Sequence, residues 1–564
     1  MMYQKLSYLS GVSDKPLIGL TIGEMFDRAC IKYADKEAVV SIHQNRRLTY
    51  KQLSEQVDAF AASLLELGFD TGDRLGIWAL NSTEWLITQY ACFKLGVILV
   101  NLNPAYKAKE LEYVLNKVEC RGIVIADAFK TSDYHAMLAS IAPELESNHS
   151  KLLVSHNLPH LKVVIKASDE VHDGVYRFND LLTPPTLAQK QHIEYIAQKL
   201  QFDDVVNIQF TSGTTGNPKG TMLTHHNILN NGYFVGEGIR LTENDRICVA
   251  VPLFHCFGMV MGNLAAMTHG ATVVYPEFAY NPTQTLQAVH DERCTALYGV
   301  PSMFITMLED ARFDEFDLSS LRTGIMAGSP CPREIMQRVI DRMHMSEITI
   351  CYGMTETSPV SMQSHVDDPI DKRVSTVGQI HPHLEVKIVD DNGHIVPVGV
   401  SGELCTRGYS VMAGYWGEPD KTKEVVDKHG WMHTGDIAEM DEDGFVKIKG
   451  RIKDVVIRGG ENLFPKEIED LLFQHPDVMS VQVVGLPDKR YGEELCACII
   501  LNEGASCCED DIREFCRSQV SHHKVPRYVS FVSEFPMTAS GKPQKFKLQE
   551  LMRVEFNLTG NIFE

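Results

Sequence analysis

Residues 74–102 read RLGIWALNSTEWLITQYACFKLGVILVNL. RLGIWAL (74–80) has the pattern of a strand, EWLITQYACFKLG (84–96) that of a helix closed by its glycine, and VILVNL (97–102) that of a second strand. A strand, a helix and a strand in so short a span form the repeating unit of a parallel sheet. Upstream, Thr49 with Gln52 three residues on is a capping box; Leu53, Val57, Phe60 and Leu64 then recur at helical spacing until Gly68. Downstream, RGIVIAD (121–127) and the region around Asn207 keep the alternation going. The fold class is therefore α/β, with a large N-terminal domain on stacked, mostly parallel sheets. The polar span 140–160 reads as a surface excursion.

Past Gly450 the rhythm changes. SVQVVGLPD (480–488) and ELCACIIL (494–501) read as strands, EDDIREFCRSQV (509–520) as a helix with acids in its first turn, and YVSFVSEF (528–535) as another strand. The expected organisation is an N-terminal domain over 1–450, a hinge linker at 451–454, and a small mobile α+β domain over 455–564.

The chain has 564 residues, too many for one core, and 44% hydrophobic with 23% charged residues excludes wholesale disorder. With 53 Lys and Arg against 74 Asp and Glu the net charge is −21, which argues against nucleic acid or an anionic membrane as a partner. The 14 cysteines are scattered, with no CxxC pair, as expected for reduced thiols in a cytoplasmic enzyme. MMYQKLSYLSGVSDKPLIG at the start lacks the apolar run of a signal peptide, and GNIFE at the end is not a peroxisomal address. Ile247 to Pro276 contains no Asp, Glu, Lys or Arg, but prolines, glycines and histidines interrupt it. It is expected to form a strand (ICVAV), a polar loop, a short helix and a strand (ATVVY), with no transmembrane segment.

TSGTTGNPKG (211–220) follows the apolar strand VVNIQF and carries the strongest chemical signal. Hydroxyls and unhindered backbone N–H groups ahead of one lysine suit a polyphosphate. It is not a P-loop, because Pro218 precedes Lys219 and Gly220 follows it. Its bland reading is a turn between a strand and a helix. YGMTETSP (352–359) offers Glu356 as a hard-oxygen ligand for Mg²⁺, and HTGD (433–436) offers Asp436 to a ribose diol. GRIKD (450–454) contributes Arg451 and Lys453, and PMTASGKPQK (536–545) carries Lys542 in a short polar loop.

Together with GELCTRGY (402–409), these motifs resemble the superfamily of adenylate-forming enzymes that includes acyl-CoA synthetases, adenylation domains and firefly luciferase. The likeness runs from about residue 20 to 550. IRGGENLFPKEIED (457–470), GYSVMAGYWGEP (408–419) and VPLFHCFG (251–258) are most similar to the medium-chain acyl-CoA synthetases. The resemblance implies ATP, Mg²⁺ and coenzyme A, and a reaction in which a carboxylate becomes an acyl-adenylate and then a thioester. It implies that Thr211, Ser212, Gly213, Thr214, Thr215, Gly216 and Lys219 hold the β- and γ-phosphates. Thr355 would contact the α-phosphate and Glu356 the metal. Tyr352 with Gly328, Ser329 and Pro330 would flank the adenine, and Asp436 and Arg451 the ribose. Lys542 would bridge the attacking carboxylate and the α-phosphate. Rotation about Lys453 would then withdraw it and bring in Arg458, Gly459 and Gly460 for coenzyme A. None of these positions departs from the family pattern.

His255 stands between the expected carboxylate entrance and the acyl tunnel, as a gate or as a satisfied structural histidine. VPLFHCFGMVMGN has no acid to pair with an α-amino group, so an uncharged acyl tail, a fatty acid of medium or longer chain, is favoured. Val235, Val300, Met303 and Met326 are candidates to line it. The adjacent His225 and His226 lack the spacing of a metal site, and Cys507 and Cys508 read as helix-flanking thiols. Alternatives are an adenylating enzyme that loads a carrier protein, a ligase for aryl or other carboxylates, or a non-enzymatic nucleotide sensor. A homodimer is open to such a chain.

Overall fold

The computed structural model describes residues 5–146, 152–168, 170–211, 218–329, 331–538 and 542–558. The stretch 74–102 forms a strand Arg74–Trp78, a helix Thr83–Leu95 and a strand Ile98–Asn101, the two strands lying parallel and adjacent. They belong to an eight-stranded sheet, parallel from Tyr176–Arg177 through Val205–Thr211 and antiparallel at Lys219–Thr224 and Gly414–Tyr415. A nine-stranded sheet is parallel from Glu347–Gly353 to Glu37–Ser41. The helix Thr83–Leu95 lies between them and is buried at every residue, which explains its apolar composition on all sides. One apolar cluster joins Leu75 and Leu99 of the first sheet to Val249 and Val274 of the second.

Two features differ from the sequence reading. A third sheet, Tyr8–Ser10, Leu384–Val389, Gly402–Gly408, Met432–Met440 and Val446–Arg451, is wholly antiparallel. Its strands alternate buried and partly exposed residues and pair antiparallel, so a reading tuned to parallel strand–helix–strand units passes over it. The span 140–160 is also no mere excursion, because Leu145, Leu153 and Leu158 are buried in the cluster under the outer face of the eight-stranded sheet. Its polar residues conceal three apolar anchors.

Beyond Arg451, where the third sheet ends, a single turn Ile452–Asp454 leads into another sheet starting at Val456. That sheet pairs Val478–Asp488 antiparallel with Gly492–Leu501, which pairs parallel with Tyr528–Phe531. Among the described residues no helix is long and apolar enough to cross a membrane. Ile247 to Pro276 gives the strands Arg246–Val249 and Thr272–Tyr275, joined by a π-helical stretch Phe257–Leu264 that runs on into Ala265–His269.

Three N-terminal helices, α1 (Ile22–Lys32), α2 (Tyr50–Glu66) and α3 (Thr83–Leu95), meet at one buried cation. Lys94 Nζ of α3 lies 2.8 Å from Asp27 Oδ1 of α1 and 2.6 Å from Asp58 Oδ1 of α2. Removing the ammonium leaves two carboxylates facing each other, although both are partly solvated. Lys94→Ala is expected to destabilise the N-terminal helices by about 2 kcal/mol, read as a lower urea midpoint at unchanged slope.

Candidate active site

TSGTTGNPKG joins two antiparallel strands rather than a strand and a helix. Val205–Thr211 and Lys219–Thr224 form a hairpin in which Thr211 and Lys219 are the last paired residues. Ser212, Gly213, Thr214, Thr215 and Gly216 lie outside the described residues, as does Pro330. Thr211 Oγ1 is buried and without a hydrogen-bond partner among the described residues. Lys219 Nζ sits 4.3 Å from the centre of the Tyr415 ring. The Tyr415 hydroxyl in turn donates to Glu356 Oε1 at 2.8 Å. Tyr415 had no role in the sequence reading, although it stands in the GYSVMAGYWGEP motif. It arrives because Gly414–Tyr415 is the edge strand beside Lys219–Thr224.

Glu356 is buried on the single turn Thr355–Thr357 that follows Glu347–Gly353. Gly353 is obligatory before that turn, since a Cβ there would lie 1.7 Å from the Pro359 carbonyl oxygen. One residue earlier, Tyr352 donates its hydroxyl to Asp436 Oδ2 at 2.5 Å. Arg451, directly across the strand pair from Asp436, places Nε 3.1 Å from Oδ1. Burial pushes the Asp436 carboxyl above the usual range, against the pull of Arg451 and Tyr352.

Lys542 comes from the far end of the chain. Its side chain lies over Gly328, with Cε 3.5 Å from where a Cβ would stand, and Gly328 holds φ +92° in the left-handed region. Among the described residues the ammonium makes no salt bridge. Burial and Arg451 lower its pKa from the usual lysine value, while Cys256, Glu356 and Asp436 pull the other way. The loop that carries it is clasped at the base: Lys542 N donates to Thr538 Oγ1 at 3.0 Å and Thr538 N to the Lys542 carbonyl at 2.8 Å. His255 is depressed to about 3 by burial and by Lys542, so it is neutral near pH 7. Its Nδ1 accepts from Phe257 N at 3.2 Å, which leaves the proton on Nε2.

A buried chain of amides that the sequence reading missed lies beneath. Cys256 donates its thiol to Gln209 Oε1 at 3.1 Å, Gln209 Nε2 donates to Asn207 Oδ1 at 3.0 Å, and Asn207 Nδ2 donates to Asn101 Oδ1 at 3.0 Å. It ties the strand entering the phosphate hairpin to the His255 loop. Polar residues alternating in VVNIQF were its only trace.

Arg458, Gly459 and Gly460 are not brought to Lys542. Arg458 donates to Glu494 Oε2 at 2.7 Å and stacks on Tyr491, both near the end of the chain, and the glycines turn an exposed hairpin at φ +59° and +88°. Lys453 is exposed on the turn Ile452–Asp454. His225 is buried and accepts from Ile22 N at 3.1 Å, whereas His226 bonds Asn230, so the two do not share a ligand.

Residues 26–416 match the model of the AMP-binding enzyme family, and residues 467–542 that of the AMP-binding enzyme C-terminal domain. The chain belongs to the AMP-binding enzyme family. It is 44% identical over 98% of its length to medium-chain acyl-CoA ligase ACSF2, mitochondrial, of Mus musculus, covering 91% of that protein. It is 45% identical over 97% of its length to putative acyl-CoA synthetase YngI of Bacillus subtilis (strain 168), covering 99% of it. Among solved structures, the anthranilate CoA ligase AuaEII in complex with anthranoyl-AMP superposes with TM-score 0.85 at 27% identity, over 96% of this chain and 99% of that one. ATP-bound MatB from Rhodopseudomonas palustris gives 0.79 at 26% identity, over 95% and 99%.

The residues of this AMP-binding enzyme suit the groups the family uses. Among the described residues the Thr211 hydroxyl has no partner and the Lys542 ammonium no salt bridge, and Glu356 and Asp436 are the carboxylates whose charge reaches Lys542. That matches magnesium, which takes one or two protein carboxylates and completes its shell with phosphate oxygens and water. A step that relies on the Lys542 charge should fail as pH rises through its lowered pKa. Pyrophosphate release measured against pH should show that alkaline limb, and thioester formation from supplied acyl-AMP should not.

Proposed function

We propose that this protein is a fatty acid–CoA ligase that activates a medium-chain acid with ATP and passes the acyl group to coenzyme A. The observation that carries the reading is a lysine from the C-terminal part of the chain lying against Gly328, within electrostatic reach of His255, Glu356 and Asp436. The names of the mouse and Bacillus relatives supply the acyl-CoA product class, and the mouse name the chain length. The uncharged loop Val251–Asn263 and the buried Val300 beside Gly328 support an apolar tail. Val235, Met303 and Met326 are buried as well, as plain core would be.

In this reading a carboxylate oxygen of the acid attacks the α-phosphorus of ATP and pyrophosphate leaves. The thiol of coenzyme A then attacks the acyl carbonyl and AMP leaves. Lys542 places its charge between the two reacting anions, where charge grows in the first transition state. Neutral His255 leaves that charge undivided. Glu356 would hold magnesium, which when bound would supply positive charge against the phosphate oxygens. Thr211 to Lys219 grip the outer phosphates and Thr355 the inner one, while Gly328 to Pro330 and Tyr352 flank the base. Asp436 already takes Tyr352 and Arg451, and keeps a second lone pair on each oxygen for the ribose.

For the second step residues 455–564 turn as a unit about Lys453, withdrawing Lys542 and presenting Arg458 to Gly460 to coenzyme A. The change of sheet between Arg451 and Val456 supports dividing the chain at 450 and 454. Cysteines free at every position suit the reducing cytoplasm, where we place the enzyme.

An AMP-release assay dependent on coenzyme A, run on straight-chain acids from acetate to stearate with benzoate and amino acids alongside, tests the substrate class. A maximum between hexanoate and dodecanoate is expected; activity confined to aryl or amino acids overturns it. Each buried methylene adds about 0.8 kcal/mol, so the maximum should be sharp on the long side where the tunnel ends. Lys542→Ala is expected to lower adenylate formation by at least about a hundredfold and to spare thioester formation from supplied acyl-AMP.

A further inference from the structure

The antiparallel strands Gly402–Gly408 and Met432–Met440 bring together three side chains that the reaction does not use. Cys405 faces His433 directly in register, and Glu403 lies two residues along the same strand. His433 Nδ1 is 2.7 Å from Glu403 Oε2 and 3.5 Å from Cys405 Sγ. The three ligand atoms lie within 4.8 Å of one another. Cys405 is buried, while His433 and Glu403 are partly open to solvent, which gives an entry path.

The arrangement is not that of a nucleophile and its base. In a catalytic triad the acid and the nucleophile occupy opposite nitrogens of the imidazole. Here the thiol and the carboxylate converge on the same nitrogen, which can carry only one proton. A cation satisfies all three at once. We propose that Glu403, Cys405 and His433 form a three-ligand site for a zinc-class transition-metal ion, with water in the remaining position.

The donor set selects the metal. Sulfur, imidazole and one carboxylate suit zinc or cobalt and exclude magnesium and calcium, which require oxygen throughout. The dimensions also suit it. With zinc–ligand bonds of about 2.1 and 2.3 Å, the nitrogen–sulfur edge of a tetrahedron is about 3.6 Å, close to the separation already present. The nitrogen–oxygen edge is about 3.4 Å, so the Glu403–His433 contact must open. Ligation displaces the thiol proton to solvent, and the carboxylate and thiolate then neutralise the dication. His433 is three residues before Asp436, and Glu403 Oε1 accepts from Gly435 N at 3.2 Å, so the metal would brace the strand that carries the ribose carboxylate.

The test is cobalt titration of the full chain after treatment with a chelator. Cobalt bound through a thiolate gives near-ultraviolet charge-transfer absorption together with visible bands of a tetrahedral ion. Cys507 approaches His475 and Asp477 in the other such cluster among the described residues, so the titration is run on the Cys507→Ser background. One equivalent of cobalt with the charge-transfer band is expected. Adding Cys405→Ser should abolish that band and weaken binding at least about tenfold, while circular dichroism and urea midpoint report that the protein is folded. A band that survives Cys405→Ser, or binding no tighter than in that variant, overturns the proposal. If Cys405→Ser does not fold, His433→Gln supplies the same readout.

Discussion

A lysine ammonium set among protein atoms, with no salt bridge among the described residues, is the constraint on which this molecule turns. Such a charge is costly unless an anion completes it. The surrounding structure answers that cost with backbone and neutral groups. Gly328 yields space, His255 is kept uncharged, and the acids nearby are committed elsewhere, Asp436 to Tyr352 and Arg451 and Glu356 to Tyr415. What remains at Lys542 is a positive charge facing neutral groups and carboxylates already engaged.

The scaffold exists to hold the two halves of that site in register. The phosphate hairpin grows from the eight-stranded sheet, while Gly328 and Tyr352 stand at the ends of adjacent strands of the nine-stranded one. The helix Thr83–Leu95 between the sheets fixes their separation through close packing on all sides. The amide chain from Asn101 to Cys256 crosses the same gap with hydrogen bonds, whose directionality sets position more tightly than apolar contact does.

Much of this was legible in the residues. The stretch 74–102, the capping box at Thr49 and the strands after Gly450 appear where their patterns place them, because each is a local, strongly periodic signal. Lys542, Glu356, Tyr352, Asp436 and Arg451 were recognisable from motifs. Their mutual placement was not, since Tyr352 and Asp436 are joined only by the meeting of two sheets. Tyr415 and Gln209 escaped for the same reason: an edge strand and a buried strand face acquire meaning through neighbours remote in the chain. Ser212 to Gly216 and Pro330 lie outside the described residues, and Arg458 to Gly460 stand apart from the site.

The clasp between Thr538 and Lys542 has a further consequence. Lys542 N bonds the Thr538 hydroxyl, Thr538 N bonds the Lys542 carbonyl, and Met537 is bridged to Pro543, so the residues on either side of the turn hold one another. The entropy of bringing Thr538 and Lys542 together is charged to folding and not to each turnover.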